Sequence, residues 1–211
     1  MKKGIQECLF KISKKTFILE EYHRHCEEGH YRIVQKTRDL FPCDFKFDTK
    51  VIVEKLGALL GLELTDIDPD TNKKLHIILR INRPNSTDYN PPHKDIYQQY
   101  DESGIVPKCV NFWIPICGVN KDSTLPLAVG SHLLSEDKIF RSFDGGFVNG
   151  KAYNVRSVLH WGGDVRLTLP QVNDQQVLVF SSHLVHGCAI NHQKDTTRIA
   201  LEFRLFPKFK I

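Results

Sequence analysis

The chain has 211 residues, of which 41% are hydrophobic and 26% charged, and its formal net charge is +4. This length and composition allow a buried core, and we expect one globular domain over 1–211. The small and dispersed positive charge argues against a nucleic-acid partner. No stretch reaches the roughly 18 apolar residues that span a bilayer, and lysines interrupt the N-terminal apolar sequence, so we expect a soluble, cytoplasmic protein without a membrane partner.

The six cysteines are scattered, and none forms a C-x-x-C pair. Such spacing indicates neither a zinc knuckle nor a disulfide framework, so we expect reduced, structural cysteines. We expect a monomer or a homodimer.

The first part of the chain, about 1–74, has mixed and partly helical character. Asp48 and Thr49 can cap a helix that runs through 51–60, and Gly61 then ends it. We therefore expect helices before the main β region.

From residue 75 onward the sequence has the pattern of short strands. Residues 75–82 alternate between two faces, as in a half-buried strand. Further strands are predicted at 108–116, 125–132, 152–159, 165–169, 176–180 and 197–206. Glycine, proline and asparagine turns separate them, which favours a sandwich or barrel. The polar segment 135–151 predicts a long loop over one mouth of it.

The sequence PPHKDIYQQY, residues 91–100, contains the first half of a candidate metal site. His93 and Asp95 are two residues apart, so in an extended backbone both side chains leave the same face. Either residue could instead have an ordinary structural role, Asp95 as the cap of a turn after Pro91 and Pro92.

A second histidine completes the pattern. His186 is followed by Gly187, which allows a close turn, whereas His183 lies between Ser182 and Leu184. We therefore favour His186 over His183 as the third ligand. Two histidines and one carboxylate form the facial triad of non-haem Fe(II) oxygenases.

Arg198 begins the last predicted strand and shares a face with Ala200, Glu202 and Arg204. Its planar guanidinium is suited to bidentate capture of a carboxylate. The distal carboxylate of 2-oxoglutarate is one such group.

In this order, H-x-D (His93, Asp95), GSH (130–132), HGCAIN (186–191) and Arg198 resemble the phytanoyl-CoA dioxygenase family of Fe(II)/2-oxoglutarate-dependent oxygenases. The resemblance covers roughly 75–206. It implies a mainly β fold, a double-stranded β-helix (jelly roll, cupin-like), here with N-terminal helices packed on one sheet.

The resemblance also implies roles for individual residues. His93, Asp95 and His186 would bind iron, and Arg198 would bind 2-oxoglutarate. Cys188 stands where the family frequently has serine, and the residues that match the family's cosubstrate pocket are Asn111, Phe112 and Trp113.

The expected activity is that of a dioxygenase that uses Fe(II), 2-oxoglutarate and O2, with ascorbate as a supporting reductant. Hydroxylation is the default outcome, and Asp95 disfavours halogenation because it fills the position that a halide would need. We expect a small polar metabolite as substrate. The candidate substrate-binding residues are Arg80, Arg83, Lys94, Gln98 and Arg141.

Two other classes of function remain open. One is a cupin-type metal enzyme that uses His93, His183 and His186 without 2-oxoglutarate. The other is a non-catalytic barrel that binds a small ligand.

Overall fold

The computed structural model describes residues 1–45, 48–69, 72–74, 76–97, 109–148, 150–162 and 164–208. Within these ranges the N-terminal part contains helices α1 (Lys2–Ser13), α2 (Tyr22–Cys26), α3 (His30–Lys36) and α4 (Thr49–Leu60). Short 3-10 turns lie at Leu19–Glu21, Pro42–Phe45, Asp95–Tyr97, Ser131–Leu133 and Glu136–Lys138. None of the helices in the described ranges has the length and apolar composition needed to cross a bilayer.

Helix α4 forms as its capping residues predict. The Asp48 carboxylate accepts a hydrogen bond from the Lys50 N–H at 2.9 Å. Gly61 ends the helix in the left-handed conformation with a φ of 64°, which glycine adopts without steric cost. The helix predicted over 51–60 is confirmed, and it starts two residues earlier.

Nine strands lie in the described part of the chain, and all their pairings are antiparallel. They are β1 (Leu64–Thr65), β2 (Ile78–Asn82), β3 (Val110–Cys117), β4 (Ile139–Arg141), β5 (Gly146–Val148), β6 (Lys151–Tyr153), β7 (Val158–Trp161), β8 (Leu178–Ser181) and β9 (Arg198–Pro207). The main sheet has the order β1-β9-β3-β8, and β2 also pairs with β9. Its register places Asn82 opposite Arg198 and Asn111 opposite Arg204. Two small sheets pair β4 with β7 and β5 with β6.

A second set of chain segments is joined by single antiparallel bridges. His186 forms bridges to His93 on one side and to Leu127 on the other, and Leu127 forms a further bridge to Thr168. The Val158 N–H of β7 donates to the Pro92 carbonyl at 2.7 Å, which adds the β4–β7 pair to the row. The candidate metal ligands therefore lie in a bridged row of short extended segments.

The strands predicted at 75–82, 108–116, 176–180 and 197–206 correspond to β2, β3, β8 and β9. Leu75 and Lys108 lie outside the described residues. The strands predicted at 125–132 and 165–169 are wrong, since each segment contributes only one bridge residue. In the first of them, Pro126 has no N–H for a continuous ladder.

The segment predicted as a long loop, 135–151, is also different. It contains β4 and β5, and β6 begins at its end. The predicted strand 152–159 is divided between β6 and β7, because β6 pairs with β5 whereas β7 pairs with β4. A sequence with short polar hairpins lacks the long alternation that identifies strands.

The helices cover one face of the main sheet, as expected. The alternate residues Ile199, Leu201, Phe203 and Leu205 of β9 pack in one core with side chains of the N-terminal helices. The other face of β9 carries the polar side chains, which are buried as well. The alternation predicted for 197–206 is confirmed, and it directs Arg198 and Glu202 away from the helices.

A buried polar cluster joins the helices to the loop after β2. The Tyr22 hydroxyl lies 3.0 Å from His30 Nδ1, and His30 Nε2 lies 3.2 Å from the Asp88 carboxylate. Arg83 donates to the same carboxylate through Nε at 2.7 Å and Nη2 at 3.0 Å, and also donates to Glu27. Burial alone would raise the pKa of Asp88, but hydrogen bonds from His30 and Arg83 lower it well below its ordinary value.

We expect Asp88→Asn to lower the free energy of unfolding by about 3 kcal/mol, because it leaves the buried Arg83 without most of its counter-charge. Chemical denaturation would measure the loss. The matched control is Asp195→Asn, which removes an exposed carboxylate bound to Arg24 and should have a much smaller effect. Equal losses in both variants would contradict the interpretation.

Since the pKa of Asp88 is depressed, this stabilisation should be present at neutral pH and disappear as the pH falls below about 4.

Candidate metal centre and cavity

The two candidate histidine ligands lie directly opposite each other. The His93 N–H donates to the His186 carbonyl at 2.8 Å, and the His186 N–H donates to the His93 carbonyl at 3.0 Å. Side chains of such a pair leave the same face, and these two ring centroids are 4.3 Å apart. A pair of backbone hydrogen bonds thus brings together two residues that are far apart in the chain.

Gly187 makes this close approach possible. Its φ is 128°, and a Cβ at this position would lie 2.4 Å from the Pro91 carbonyl oxygen. Any other residue would move the loop away from the segment that carries His93. The role predicted for a glycine after His186 is therefore visible in the backbone.

Each ring is oriented by a hydrogen bond at Nδ1. His93 Nδ1 lies 2.8 Å from the Pro91 carbonyl, and His186 Nδ1 lies 3.0 Å from the Leu184 carbonyl. A carbonyl oxygen only accepts, so Nδ1 carries the proton in both rings and Nε2 presents a lone pair. His93 Nε2 is buried without any hydrogen-bond partner. A buried lone pair of this kind fits a metal ion.

Asp95 supplies the third donor. Its Oδ1 lies 3.8 Å from His93 Nε2, and its Oδ2 lies 3.7 Å from His186 Nε2. One donor atom from each of the three residues lies within 4.8 Å of the others, and all three side chains are buried. The cluster can hold a metal ion. The side chains of His93 and Asp95 lie close together, as the H-x-D spacing predicted.

The protonation states of the site match this use. Burial lowers the pKa of His93 to about 4, and the charge of His186 adds to the effect. Burial would raise the pKa of Asp95, but Arg204 and the two histidines lower it below its ordinary value. At neutral pH His93 is therefore neutral and Asp95 is anionic, which are the states that bind a cation.

Two residues of the main sheet hold the Asp95 carboxylate. Arg204 Nη2 donates to Oδ1 at 2.7 Å, and Asn111 Nδ2 donates to Oδ2 at 2.5 Å. Arg204 and Asn111 are cross-strand neighbours on β9 and β3. The expectation that Asn111 lines the cosubstrate pocket is corrected, since its amide binds Asp95 and it is not among the residues that line the cavity.

A cavity of about 630 Å³ lies between the main sheet and the bridged row. The sheet side contributes Trp113, Arg198 and Glu202, and the bridged row contributes His93 and His186. The metal cluster therefore opens onto a space large enough for a small molecule.

Arg198 is a buried cation that faces this cavity. Its Nη2 donates to the Ala189 carbonyl at 3.1 Å, its Nε has no hydrogen-bond partner, and its guanidinium lies 5.6 Å from the Trp113 ring centroid. In the described part of the chain no carboxylate forms an ion pair with it. Burial and repulsion from Arg80 lower the pKa of Arg198 to about 9, as expected where a counter-charge is missing.

Among the predicted substrate residues, only Arg80 lines the cavity in the described part of the chain. Its Nε and Nη2 donate to both Glu202 oxygens, at 2.7 and 3.0 Å. The guanidinium is thus already in a bidentate ion pair inside the fold.

The other predicted substrate residues lie elsewhere. Arg83 binds Asp88, Lys94 is fully buried and its ammonium donates to Glu136 at 2.7 Å, and Arg141 lies over the Tyr97 ring at 4.4 Å. These three do not line the cavity, so this part of the prediction is corrected. Lys94 lies between His93 and Asp95, so the alternation that joins those two sends it to the opposite face. Gln98 lies outside the described residues.

Cys188 and His183 are not among the residues that line the cavity. Cys188 has a φ of 53°, its N–H donates to the Asn90 carbonyl at 2.7 Å, and burial raises the pKa of its thiol. The assignment of Cys188 to the cosubstrate-binding residues, which the resemblance implies, stays a prediction. His183 is half-buried and lies outside the cluster formed by the three candidate ligands.

Sequence reasoning missed one wall of the cavity. Helix α3 and the turn after it contribute His30, Tyr31, Val34 and Arg38, and the region of β6 contributes Lys151, Tyr153 and Arg156. Tyr31, Val34 and Arg38 have the spacing i, i+3, i+7, which is the signal for one helical face. That spacing could have identified the face, although not its contact with the metal site.

No protein-family model and no curated protein matches this sequence. Among solved structures, AviO1 from Streptomyces viridochromogenes is 16% identical over 76% of this chain and 58% of that chain, with a TM-score of 0.48. The apo form of ThoJ, a non-heme monooxygenase, is 17% identical over 74% of this chain and 51% of that chain, with a TM-score of 0.47. EvdO2 from Micromonospora carbonacea var. aurantiaca, complexed with 2-oxoglutarate, is 11% identical over 91% of this chain and 67% of that chain, with a TM-score of 0.44.

The chain spans between 51% and 58% of the length of AviO1 and ThoJ. Structural similarity at these identities and TM-scores assigns neither a family nor an activity to this chain. The resemblance to the phytanoyl-CoA dioxygenase family stays a prediction.

Proposed function

We propose that the chain is an Fe(II)- and 2-oxoglutarate-dependent oxygenase that hydroxylates a small molecule. The observation that supports this most strongly is the combination of two features on one cavity. The first is the cluster of His93, Asp95 and His186, and the second is the buried Arg198, with which no described carboxylate forms an ion pair. We also infer that the main sheet and the bridged row are the two layers of a jelly roll.

The donor set fits ferrous iron. Two neutral imidazole nitrogens and one carboxylate on one side of an ion leave positions for other ligands, which is the arrangement of non-haem Fe(II) oxygenases. Zinc hydrolases also use two histidines and a carboxylate. Arg198 favours the oxygenase, because a carboxylate-binding cation on the same cavity suits a dicarboxylate cosubstrate that chelates iron at its other end.

The charge of 2-oxoglutarate fits the cavity. When bound, iron supplies oxygen activation, and 2-oxoglutarate supplies two electrons as it becomes succinate and CO2, so that RH, O2 and 2-oxoglutarate yield ROH, succinate and CO2. Arg198 would bind the distal carboxylate and Trp113 would form the adjacent wall. The Arg80–Glu202 pair lines the same space as a neutral unit, so it leaves Arg198 as the cation that a carboxylate neutralises.

The protein's own contribution is to hold the donors in place. Backbone carbonyls bind Nδ1 of His93 and His186, which leaves Nε2 of each ring as the atom for the metal, while Arg204 and Asn111 fix the Asp95 carboxylate. A cupin-type enzyme that uses His183 receives no support from this geometry, since His183 is not in the cluster.

The proposal is tested by metal and cosubstrate binding in Asp95→Asn. This variant keeps the shape of the side chain and removes its charge, so we expect the Fe(II) affinity to fall by roughly 100-fold or more. Anaerobic titration with Fe(II), followed by 2-oxoglutarate, would detect the charge-transfer absorption of the chelate in the unmodified protein and its loss in the variant. Asp195→Asn is the control.

A thermal melt of each variant checks the fold. Unchanged iron content in Asp95→Asn would contradict the metal assignment. Iron binding without any 2-oxoglutarate chelation in the unmodified protein would contradict the oxygenase and favour a metal enzyme of another class.

A further inference from the structure

We propose that the substrate carries an anionic group, a phosphate or a carboxylate, and that Arg38 and Lys151 bind this group at the rim of the cavity. The inference rests on the proposed oxygenase function and names the substrate class of that same site. It starts from the wall that α3 and β6 form together.

Helix α3 directs one face toward the cavity. Tyr31, Val34 and Arg38 follow one another along this face, with Arg38 just beyond the last helical residue. Arg38 is exposed, so its guanidinium remains accessible to a ligand at the rim. The helix therefore places an aromatic ring on the cavity wall, and the residue after its C-cap places a cation about two helical turns further along.

Strand β6 provides the second cation. The Lys151 ammonium donates to the Thr87 carbonyl at 2.9 Å and lies 5.7 Å from the Tyr31 ring centroid and 5.3 Å from the Tyr153 ring centroid. Lys151 thus lies where the walls from α3 and β6 meet. These contacts orient the ammonium but involve neutral groups, so they leave its charge uncompensated.

Most cations in and around the core have an acidic partner in the described part of the chain. The pairs are Arg80–Glu202, Arg83–Asp88, Lys94–Glu136 and Arg204–Asp95. Arg38 and Lys151 line the cavity and form no ion pair with a described carboxylate. Apart from Arg198, the fold therefore compensates its inner cations and leaves Arg38 and Lys151 open to a ligand.

The rim of the cavity as a whole is also positively charged. The cavity wall there contains Arg38 and Lys151 and one acid outside the buried cluster, Asp144, so the cations are in excess. Bound 2-oxoglutarate would neutralise Arg198 deeper in the cavity and would not reach this excess as well. A second anion, carried by the substrate, accounts for it.

The test uses the full chain loaded with Mn(II) and saturating 2-oxoglutarate, so that Arg198 is occupied and no turnover occurs. Three anionic probes are titrated separately: phenyl phosphate, glucose 6-phosphate and benzoate. Glucose and benzyl alcohol are the neutral counterparts. Ligand-observed NMR measures each affinity for the unmodified protein, Arg38→Gln, Lys151→Gln and the double variant. Lys3→Gln, which removes an exposed charge from α1, is the matched control.

We expect at least one anionic probe to bind more tightly than its neutral counterpart. Each single variant should weaken this binding by roughly 10-fold and the double variant should weaken it further, whereas Lys3→Gln should not. All variants should keep the affinity for 2-oxoglutarate. Absence of binding by all three anions, or equal binding to the unmodified protein and the double variant, would overturn the inference. Loss of metal and 2-oxoglutarate binding in the unmodified protein would instead overturn the proposed function.

Discussion

His186→Ala is expected to abolish Fe(II) binding, whereas His183→Ala is expected to retain it. His186 is held opposite His93 by two backbone hydrogen bonds and directs Nε2 toward Asp95. His183 lies three residues earlier, outside the cluster and the cavity. Removing one of three ligands should lower the metal affinity by several orders of magnitude.

The two variants form a matched pair, since each removes one imidazole from the same loop. Iron content after dialysis and isothermal titration with Mn(II) would be measured on both, together with a thermal melt. Loss of the metal from His183→Ala and its retention in His186→Ala would refute the assignment. It would also undermine the register of the loop and the assignment of Arg198 that follows from it.

The metal cluster was predictable because its determinants are local. The spacing of His93 and Asp95 places both on one face of an extended segment, and Gly187 after His186 indicates a close backbone approach. Neither feature requires knowledge of which strands pair. The antiparallel bridge that joins the two segments follows only from the folded structure.

The groups that hold Asp95 were not predictable in the same way. Asn111 and Arg204 reach one carboxylate because β3 and β9 pair in a particular register. Such a register depends on contacts between residues about 90 positions apart. The sequence pattern identifies both strands but not the pairing that brings these side chains together.

The substrate cations show the same limit. Arg83 and Lys94 were predicted from their positions near H-x-D, but Asp88 and Glu136 already bind them. The ion-pair partners of a cation depend on tertiary structure. The rim cations Arg38 and Lys151 are far in sequence from the metal ligands, and only the packing of α3 and β6 brings them to the cavity.

Arg198→Met is expected to weaken 2-oxoglutarate binding by roughly two to three orders of magnitude, while the metal affinity remains unchanged. A charge-assisted bidentate contact contributes on the order of 3 kcal/mol, which corresponds to this factor. Methionine fills much of the same volume beside Trp113 and removes a buried charge that has no ion-pair partner. The melting temperature of the protein without 2-oxoglutarate should therefore not fall, and could rise.

The decisive measurement for this last prediction is the shift in melting temperature that 2-oxoglutarate causes in the presence of Mn(II). Stabilisation by a ligand rises with the logarithm of its concentration relative to Kd, so at a concentration near the Kd of Arg198→Met or below it the shift should be present in the unmodified protein and small in Arg198→Met. Arg198→Lys keeps the charge but not the planar fork, and should recover part of the shift. A full shift in Arg198→Met would refute the assignment of the carboxylate to Arg198, because Arg80 and Arg204 are already ion-paired with Glu202 and Asp95. A fall in the melting temperature without ligand would show that Arg198 supports the fold itself, which the lack of an ion pair with any described carboxylate argues against.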